Sequence, residues 1–173
     1  DIRAALGLSH GDFGTYYAVA TTASAISLLW LGKLADTMRL EKLALLILVS
    51  LCLAAIFFSQ IDSLITLIIG LYLLRMFGQG MMTHVYSTAM ARRYVAARGR
   101  AISIAQLGHT ISESVGPAGV VALHAVFDWR TIWIILPASA LILVAPFLRQ
   151  LTRRTTLQAV SYTHLTLPTI FAV

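Results

Sequence analysis

The sequence predicts an all-α integral membrane protein, a helical bundle with five transmembrane helices. Of its 173 residues, 58% are hydrophobic and 12% are charged, whereas an ordinary soluble domain has about 25% charged residues. Several continuous apolar runs reach the length of roughly 20 helical residues that crosses a bilayer. The runs do not alternate apolar and polar residues, which is the pattern of a membrane-spanning barrel. Composition and run length together therefore predict helices that span a membrane.

Apolar runs bounded by charged or turn-forming residues define the five predicted helices. They cover approximately residues 12–33, 42–60, 63–85, 101–126 and 130–150. Ten of the thirteen Lys and Arg residues lie in the first and third connections or after the last run. We call this side of the bundle the basic face, and the positive-inside rule makes it cytoplasmic. The chain then starts on the opposite side, so we expect a six-helix unit whose first helix is missing.

The net charge of +6 does not indicate a nucleic-acid-binding protein. The basic residues form short clusters between apolar runs, as membrane topology requires, and not one continuous stripe. The single cysteine, Cys52, lies inside an apolar run, so no intrachain disulfide is expected. The expected partners are the lipid bilayer and the missing remainder of the same chain, with no nucleic acid.

The end of the chain differs in character from the rest. Residues 160–169, "VSYTHLTLPT", back-translate into a nucleotide sequence that resembles the transposon mosaic-end adapter used to prepare sequencing libraries. We therefore predict that residues 159–173 are not native, and we assign no role to His164. The remaining residues, 1–158, are predicted to form one partial six-helix domain whose first helix is missing.

The stretch "GKLADTMRLEK", residues 32–42, ends the first predicted helix. Gly32 permits close approach of a neighbouring helix. Asp36 at a helix end can pair with basic neighbours such as Arg39 and Lys42, or face the N-terminus of another helix. The alternative is a solvated turn with no functional role.

Four segments of the chain resemble signatures of the major facilitator superfamily. Residues 32–42 resemble its loop signature between the second and third helices, with departures at Thr37 and Arg39. Arg75, Gly78 and Gly80 resemble its fourth-helix pattern. The stretch "GHTISESVGPAG", residues 108–119, resembles its fifth-helix glycine-proline signature, although Val120 and Val121 replace the glycines typical of antiporters. "DWRTIWIIL" resembles the start of its sixth helix. The residues that carry the two helical signatures form a predicted helix-packing motif, at which neighbouring helices are expected to approach closely: Gly78, Gly80, Gly108, Gly116, Pro117 and Gly119.

The resemblance covers about residues 6–154 and implies helices two to six of the N-terminal half. It implies a secondary transporter built from two six-helix halves, with a substrate site between them near the bilayer midplane. The stretch "RRYVAARGRAISIAQLGH" is further similar to members that carry monocarboxylates and related organic anions. We therefore expect a small organic anion as substrate, protons as a candidate coupling ion, and a multi-pass location in the cell membrane, in a prokaryote the inner membrane.

Arg75 lies inside the apolar stretch "LYLLRMFGQGMM". A charge at the bilayer centre costs about 2.5–3.5 kcal/mol on insertion scales, so Arg75 is expected to face a polar cavity or a partner. Helical spacing places Tyr72 and Gln79 on its face. Near the span ends, Tyr16, Tyr17, His84 and His124 are expected at the membrane interface instead.

Glu113 is the acidic residue that lies well inside another predicted span. At helical spacing it shares a face with His109 and Gln106, in a helix interrupted by Gly116 and Pro117. Two interpretations remain open: a fixed ion pair between Arg75 and Glu113, or a polar site that is exposed alternately to the two sides. The predicted substrate and coupling residues are thus Arg75, Gln79, Glu113, His109 and Tyr72.

Two other functions are alternatives to transport of an anion. An efflux transporter for lipophilic or cationic compounds would depend on acidic cavity residues more than on Arg75. A membrane protein that only binds partners would show no substrate flux. The sequence contains no HExxH, no GxSxG and no paired aspartate motif. We therefore expect no enzyme activity, no metal site and no cofactor.

Overall fold

The structure, a computed structural model, describes the backbone of residues 2–163 and the side chains of residues 2–146 apart from Ala4. Eight α-helices are present in this part of the chain: α1 (Ile2–Ala5), α2 (His10–Leu31), α3 (Leu34–Thr37), α4 (Leu40–Ser59), α5 (Leu64–Leu74), α6 (Met82–Arg93), α7 (Arg98–His124) and α8 (Trp129–Thr163). A π-helical segment (Arg75–Met81), called the π segment, joins α5 to α6 without a break, and a 3₁₀ turn (Val95–Ala97) precedes α7.

The predicted all-α membrane bundle is confirmed. Four helical stretches are long and apolar enough to cross a membrane: His10–Thr37, Leu40–Ser59, Leu64–Arg93 and Trp129–Pro146. The fifth predicted span, residues 101–126, forms α7 over 27 residues. α7 has the length of a membrane span, but polar residues at its centre keep it below the hydropathy of the other four. The last predicted span continues as helix to Thr163, and the predicted non-native tail lies outside the described residues from position 164 onward.

Local sequence signals explain where two of the spanning helices begin. The Ser9 hydroxyl accepts a hydrogen bond from the Asp12 amide at 3.1 Å, and the Asp12 carboxylate accepts one from the Ser9 amide at 3.3 Å. Ser63 and Thr66 form the same reciprocal arrangement at the start of α5. Each of these reciprocal arrangements, called capping boxes, provides acceptors for two amide groups that would otherwise lack a partner at the start of the helix.

α4 lies at the centre of the bundle and contacts α5, the π segment, α6 and α8. At the end near the basic face, a buried cluster joins α3, α4 and α6 through Ala35, Leu43, Ile47, Met81 and Val85. At the other end, a second cluster joins α2, α4 and α5 through Ala20, Phe58, Ile61, Leu67 and Leu71. α7 contacts α6 and α8. All of residues 110–122 of α7 are exposed.

Arg130, in the first turn of α8, ties that helix to the end of α4. Its guanidinium donates to the Ser59 carbonyl at 2.6 Å and to the Ile61 carbonyl at 3.1 Å. The same guanidinium lies 4.5 Å from the centre of the Trp129 ring. Carbonyls at the C-terminus of a helix lack intrahelical partners and carry partial negative charge, so a cation there stabilises the helix end.

The glycines of the predicted packing signatures fall into two groups. A Cβ atom at Gly78 would lie 3.3 Å from the Leu51 side chain, and one at Gly80 would lie 3.5 Å from the Leu28 side chain. These two glycines therefore bring α4 and α2 close to the π segment. At Gly108, Gly116 and Gly119, in contrast, an added Cβ would meet no described atom within 4 Å. The expectation of close helix packing is not met at these three α7 positions.

Candidate functional site

A cavity of about 510 Å³ opens between α2, the π segment, α7 and α8. Its polar lining consists of Arg75, Gln79, His109, Ser112 and Glu113. Its aromatic lining consists of Phe13, Tyr17, Phe58 and Trp133. A mainly apolar concave surface with a few convergent polar groups is the usual form of a small-molecule site. This cavity, which we call the Arg75 cavity, is therefore the candidate site.

The π segment sets the position of Arg75. Inside it, hydrogen bonds run to the fifth preceding residue, as from the Met82 amide to the Phe77 carbonyl. A π-helical segment widens the helix and changes the direction of its side chains, and such segments are frequent at functional sites. Arg75 is the first residue of this segment, and Gln79 follows one turn later. Sequence spacing predicted the pair but not the widened helix.

The Arg75 guanidinium is held from two sides. One Nη atom donates a hydrogen bond to the Gln79 side-chain oxygen. The Cζ atom of the guanidinium lies over the Tyr17 ring, 4.4 Å from the ring centre. Its Nε atom is buried and has no hydrogen-bond partner among the described atoms. An arginine fixed in this way keeps donors available, and a buried donor without a partner is the kind of group that a bound acceptor satisfies.

Glu113 pairs with His109 and not with Arg75. The His109 Nδ1 atom lies 3.5 Å from a Glu113 carboxylate oxygen, and the two residues are four positions apart on α7. The fixed Arg75–Glu113 ion pair considered from the sequence is therefore absent from the described part of the structure.

Pro117 has no amide hydrogen, so it cannot donate to the Glu113 carbonyl four residues earlier. α7 nevertheless continues as a helix through Pro117.

The structure brings together four of the five predicted substrate and coupling residues: Arg75, Gln79, His109 and Glu113 all line the Arg75 cavity. Tyr72 is the exception. Its hydroxyl donates to the Ser27 hydroxyl of α2 at 2.9 Å, so Tyr72 connects two helices outside the cavity lining.

Sequence reasoning missed the aromatic lining and Ser112, and among these residues Tyr17 is the one that contacts Arg75. It was expected at the membrane interface, yet its ring contacts Arg75 inside the cavity. The available signal was the spacing of Phe13 and Tyr17, which are four residues apart and so share one face of α2. That spacing indicates an aromatic face but does not identify the residue that the face meets. His84, also expected at the interface, is half-buried, and its Nε2 atom lies 3.1 Å from the Gly32 carbonyl.

The loop signature at the basic face forms a second polar site. Arg92, in the last turn of α6, contacts the Asp36 carboxylate at 3.3 Å and donates to the Ala35 carbonyl at 3.0 Å. The nearby basic residues that the sequence suggested as partners do not take this role: Arg39 pairs with Glu41 at 3.7 Å, and Lys42 is exposed. Asp36 therefore links α3 to α6 through a residue distant in sequence.

Positively charged donors, aromatic surface and a histidine-carboxylate pair thus converge in one cavity of a helical membrane bundle. No curated protein and no solved structure matches the chain. The family comparison does match: residues 1–168 fit the Major Facilitator Superfamily, which is nearly the whole chain. The chain belongs to the Major Facilitator Superfamily.

Proposed function

We propose that this protein moves a small organic anion across the membrane by alternating access, with Arg75 as the group that binds the anion. Membership of the superfamily makes it a secondary transporter of a small solute, and the members are transporters and not enzymes. The observation that carries the choice of an anion is the guanidinium of Arg75, held against Tyr17 inside the Arg75 cavity.

The charge balance of the cavity supports an anionic substrate. Inserting a charged residue such as Arg75 at the centre of a membrane-spanning helix costs about 2.5–3.5 kcal/mol of free energy. A bound carboxylate would compensate that cost. An arginine forms charge-assisted bonds to a carboxylate in a fixed fork geometry, which also orients the substrate. Because no carboxylate contacts Arg75 within the described part of the chain, its charge is available to a ligand.

The aromatic lining supports an organic substrate over a small inorganic ion. Phe13, Phe58 and Trp133 surround the polar groups, and the Phe58 and Trp133 rings lie 4.6 Å apart. Apolar and aromatic walls bind the carbon skeleton of a ligand, while a few polar groups fix its orientation. A carboxylate attached to a short apolar body fits both parts of the lining.

The His109–Glu113 pair is the proposed proton carrier. A bound anion adds one negative charge to the cavity, and uptake of one proton by this pair neutralises that charge. The Glu113 side chain is 61% exposed, so protons reach it through water in the cavity. Transport of the anion would then proceed together with a proton. With the basic face on the cytoplasmic side of the cell membrane, α7 runs outward from Arg98 to His124.

The test is uptake of radiolabelled pyruvate by proteoliposomes that contain the full-length protein, with and without a proton gradient. Arg75→Gln removes the charge-assisted bonds to the carboxylate, so we expect uptake to fall by about tenfold or more. Glu113→Gln should abolish the stimulation by the proton gradient. Lys33→Gln is the matched control, because Lys33 is exposed and does not line the cavity. Unchanged uptake in the Arg75 variant, at equal protein insertion, would refute the role of Arg75.

Efflux of a lipophilic cation is the second candidate function. The observations that favour it are the exposed Glu113 carboxylate and the aromatic walls, which also suit a cation. Uptake of tetraphenylphosphonium in the same proteoliposomes separates the two. Flux of this cation that requires Glu113, survives Arg75→Gln and is insensitive to pyruvate would replace the anion proposal. Binding of a protein partner with no flux of either probe would indicate a purely interacting role.

A further inference from the structure

A second cavity of about 390 Å³ lies between the end of α6 and the start of α7, at the basic face. Its walls are apolar: Met90 comes from α6, and Ala101, Ile104 and Ala105 come from α7. Tyr94, Ala97 and Arg100 complete the lining. We call it the α6–α7 groove. It shares no lining residue with the Arg75 cavity, so it is a separate site.

The α6–α7 groove is polar at one end and apolar at the other. α7 runs away from the basic face, so Arg100 lies nearer to that face than Ala105 does. Five residues of helix correspond to a rise of about 7.5 Å. Tyr94 directly follows α6 at the basic end, and Met90 lies about one turn deeper on α6. A charged rim over an apolar floor has the same polar-to-apolar order as the headgroup and acyl chains of a glycerophospholipid at a membrane surface.

The rim carries positive charge that the described residues neutralise only in part. Four arginines fall within residues 92–100, and no acidic residue occurs from 92 to 112. Arg92 is paired with Asp36, and the Arg93 guanidinium lies 5.6 Å from the centre of the Tyr94 ring. Arg100, which lines the groove, and Arg98, which lies outside the lining, form no hydrogen bond or ion pair within the described residues. The rim is therefore complementary to an anion.

We propose that the α6–α7 groove binds one anionic glycerophospholipid, with its phosphate at Arg100 and the Tyr94 hydroxyl and an acyl chain along Met90, Ile104 and Ala105. Basic pockets between transmembrane helices bind anionic lipid headgroups, because a leaflet supplies both the charge and the apolar chain. A free phosphate ion would leave the apolar floor exposed. A zwitterionic lipid would add no net charge to balance the rim. The bound lipid would hold the connection between α6 and α7 at the membrane surface.

The test measures lipid binding to the full-length protein by native mass spectrometry, with palmitoyl-oleoyl phosphatidylglycerol as the probe. Phosphatidylcholine with the same acyl chains is the zwitterionic comparison, and inorganic phosphate is the comparison for the headgroup alone. Arg100→Gln should raise the Kd for phosphatidylglycerol about fivefold, which corresponds to about 1 kcal/mol per basic residue near the surface. Arg98→Gln is the matched control, because it removes the same charge two residues away and Arg98 does not line the groove.

A second pair of variants tests the apolar floor without changing charge. Ala105→Phe fills the groove, whereas Ser103→Phe adds the same ring on an exposed part of α7 outside the lining. We expect the first variant to lose bound phosphatidylglycerol and the second to retain it. Inorganic phosphate at millimolar concentration should not displace the lipid.

Four outcomes would overturn the proposal. If Arg100→Gln and Arg98→Gln weaken the binding of phosphatidylglycerol equally, the lipid is attracted by the basic surface as a whole and not bound in the groove. Equal affinity for phosphatidylcholine would show that the rim does not select charge. Retention of lipid by the Ala105→Phe variant would place the acyl chain elsewhere. Absence of any bound lipid would mean that the groove is empty or is covered by another part of the full-length protein.

Discussion

Replacing Tyr17 by leucine should weaken binding of the transported anion without changing the charge of the cavity. The Cζ atom of the Arg75 guanidinium lies over the Tyr17 ring, 4.4 Å from the ring centre. Leucine keeps a bulky apolar side chain on α2 but removes the aromatic ring. Arg75 would then keep its hydrogen bond to Gln79 and lose the contact that fixes its orientation.

The size of the effect follows from the environment of the contact. Cation–π pairs contribute about 0.5–1 kcal/mol when exposed and about 2 kcal/mol when desolvated. Tyr17 is 37% exposed, which places this pair between the two limits. A loss of about 1 kcal/mol corresponds to an increase of about fivefold in the KM for the anion. The maximal rate should stay within about twofold of the wild-type rate, because Tyr17 acts by positioning Arg75.

The assay is the concentration dependence of pyruvate uptake in proteoliposomes. Tyr17→Phe retains the ring and should keep the wild-type KM. Tyr16→Leu is the matched control, since Tyr16 is the neighbouring tyrosine of α2 and does not line the Arg75 cavity. The reasoning fails if Tyr17→Leu leaves the KM unchanged, if Tyr17→Phe is equally damaging, or if Tyr16→Leu has the same effect. Uptake that is absent from the wild-type protein would instead reject the proposed substrate class.

Three further predictions concern stability, measured as thermal unfolding in detergent micelles. Arg130→Met removes two charge-assisted hydrogen bonds at the end of α4 and should destabilise the protein by about 2–4 kcal/mol. Arg98→Met is the control and should have little effect. Equal melting temperatures of the two variants would contradict this prediction. Gly70→Val should lower the melting temperature clearly, because a Cβ there would lie 2.7 Å from the Phe58 ring, and a neutral result would show that the ring moves freely. Asp36→Asn should cost less than about 1 kcal/mol, since Asp36 and Arg92 are 77% and 45% exposed. A larger loss would reveal an interaction beyond this surface pair.

The sequence alone predicted the membrane class and the position of the helices. Span prediction succeeds because a helix in lipid must satisfy its own backbone and present apolar side chains, and both properties are local. Capping at Ser9 and Ser63 is local in the same way. Family membership also came from the sequence, through the signatures at residues 32–42, 75–80 and 108–119, and the comparison over residues 1–168 confirmed it.

The candidate site was predicted in part. Arg75 and Glu113 were selected because ionisable residues inside a span are costly and therefore point to function. Gln79 and His109 followed from helical spacing, which relates residues on one helix. Tyr72 was placed on the face of Arg75 by the same spacing, which does not say which neighbouring helix a side chain contacts. In the structure Tyr72 meets Ser27 of α2.

Only the tertiary structure decided how residues on different helices meet. It placed Tyr17 against Arg75, paired Asp36 with Arg92 and left Glu113 with His109. These contacts depend on the rotation of each helix about its axis and on the π segment, which changes side-chain directions after Arg75. Rotation is set by packing between helices, such as the approach of α4 at Gly78, and a single sequence does not encode it in any local pattern. The sequence thus determined which segments cross the membrane and which charges lie within them, and packing decided which partners those charges have.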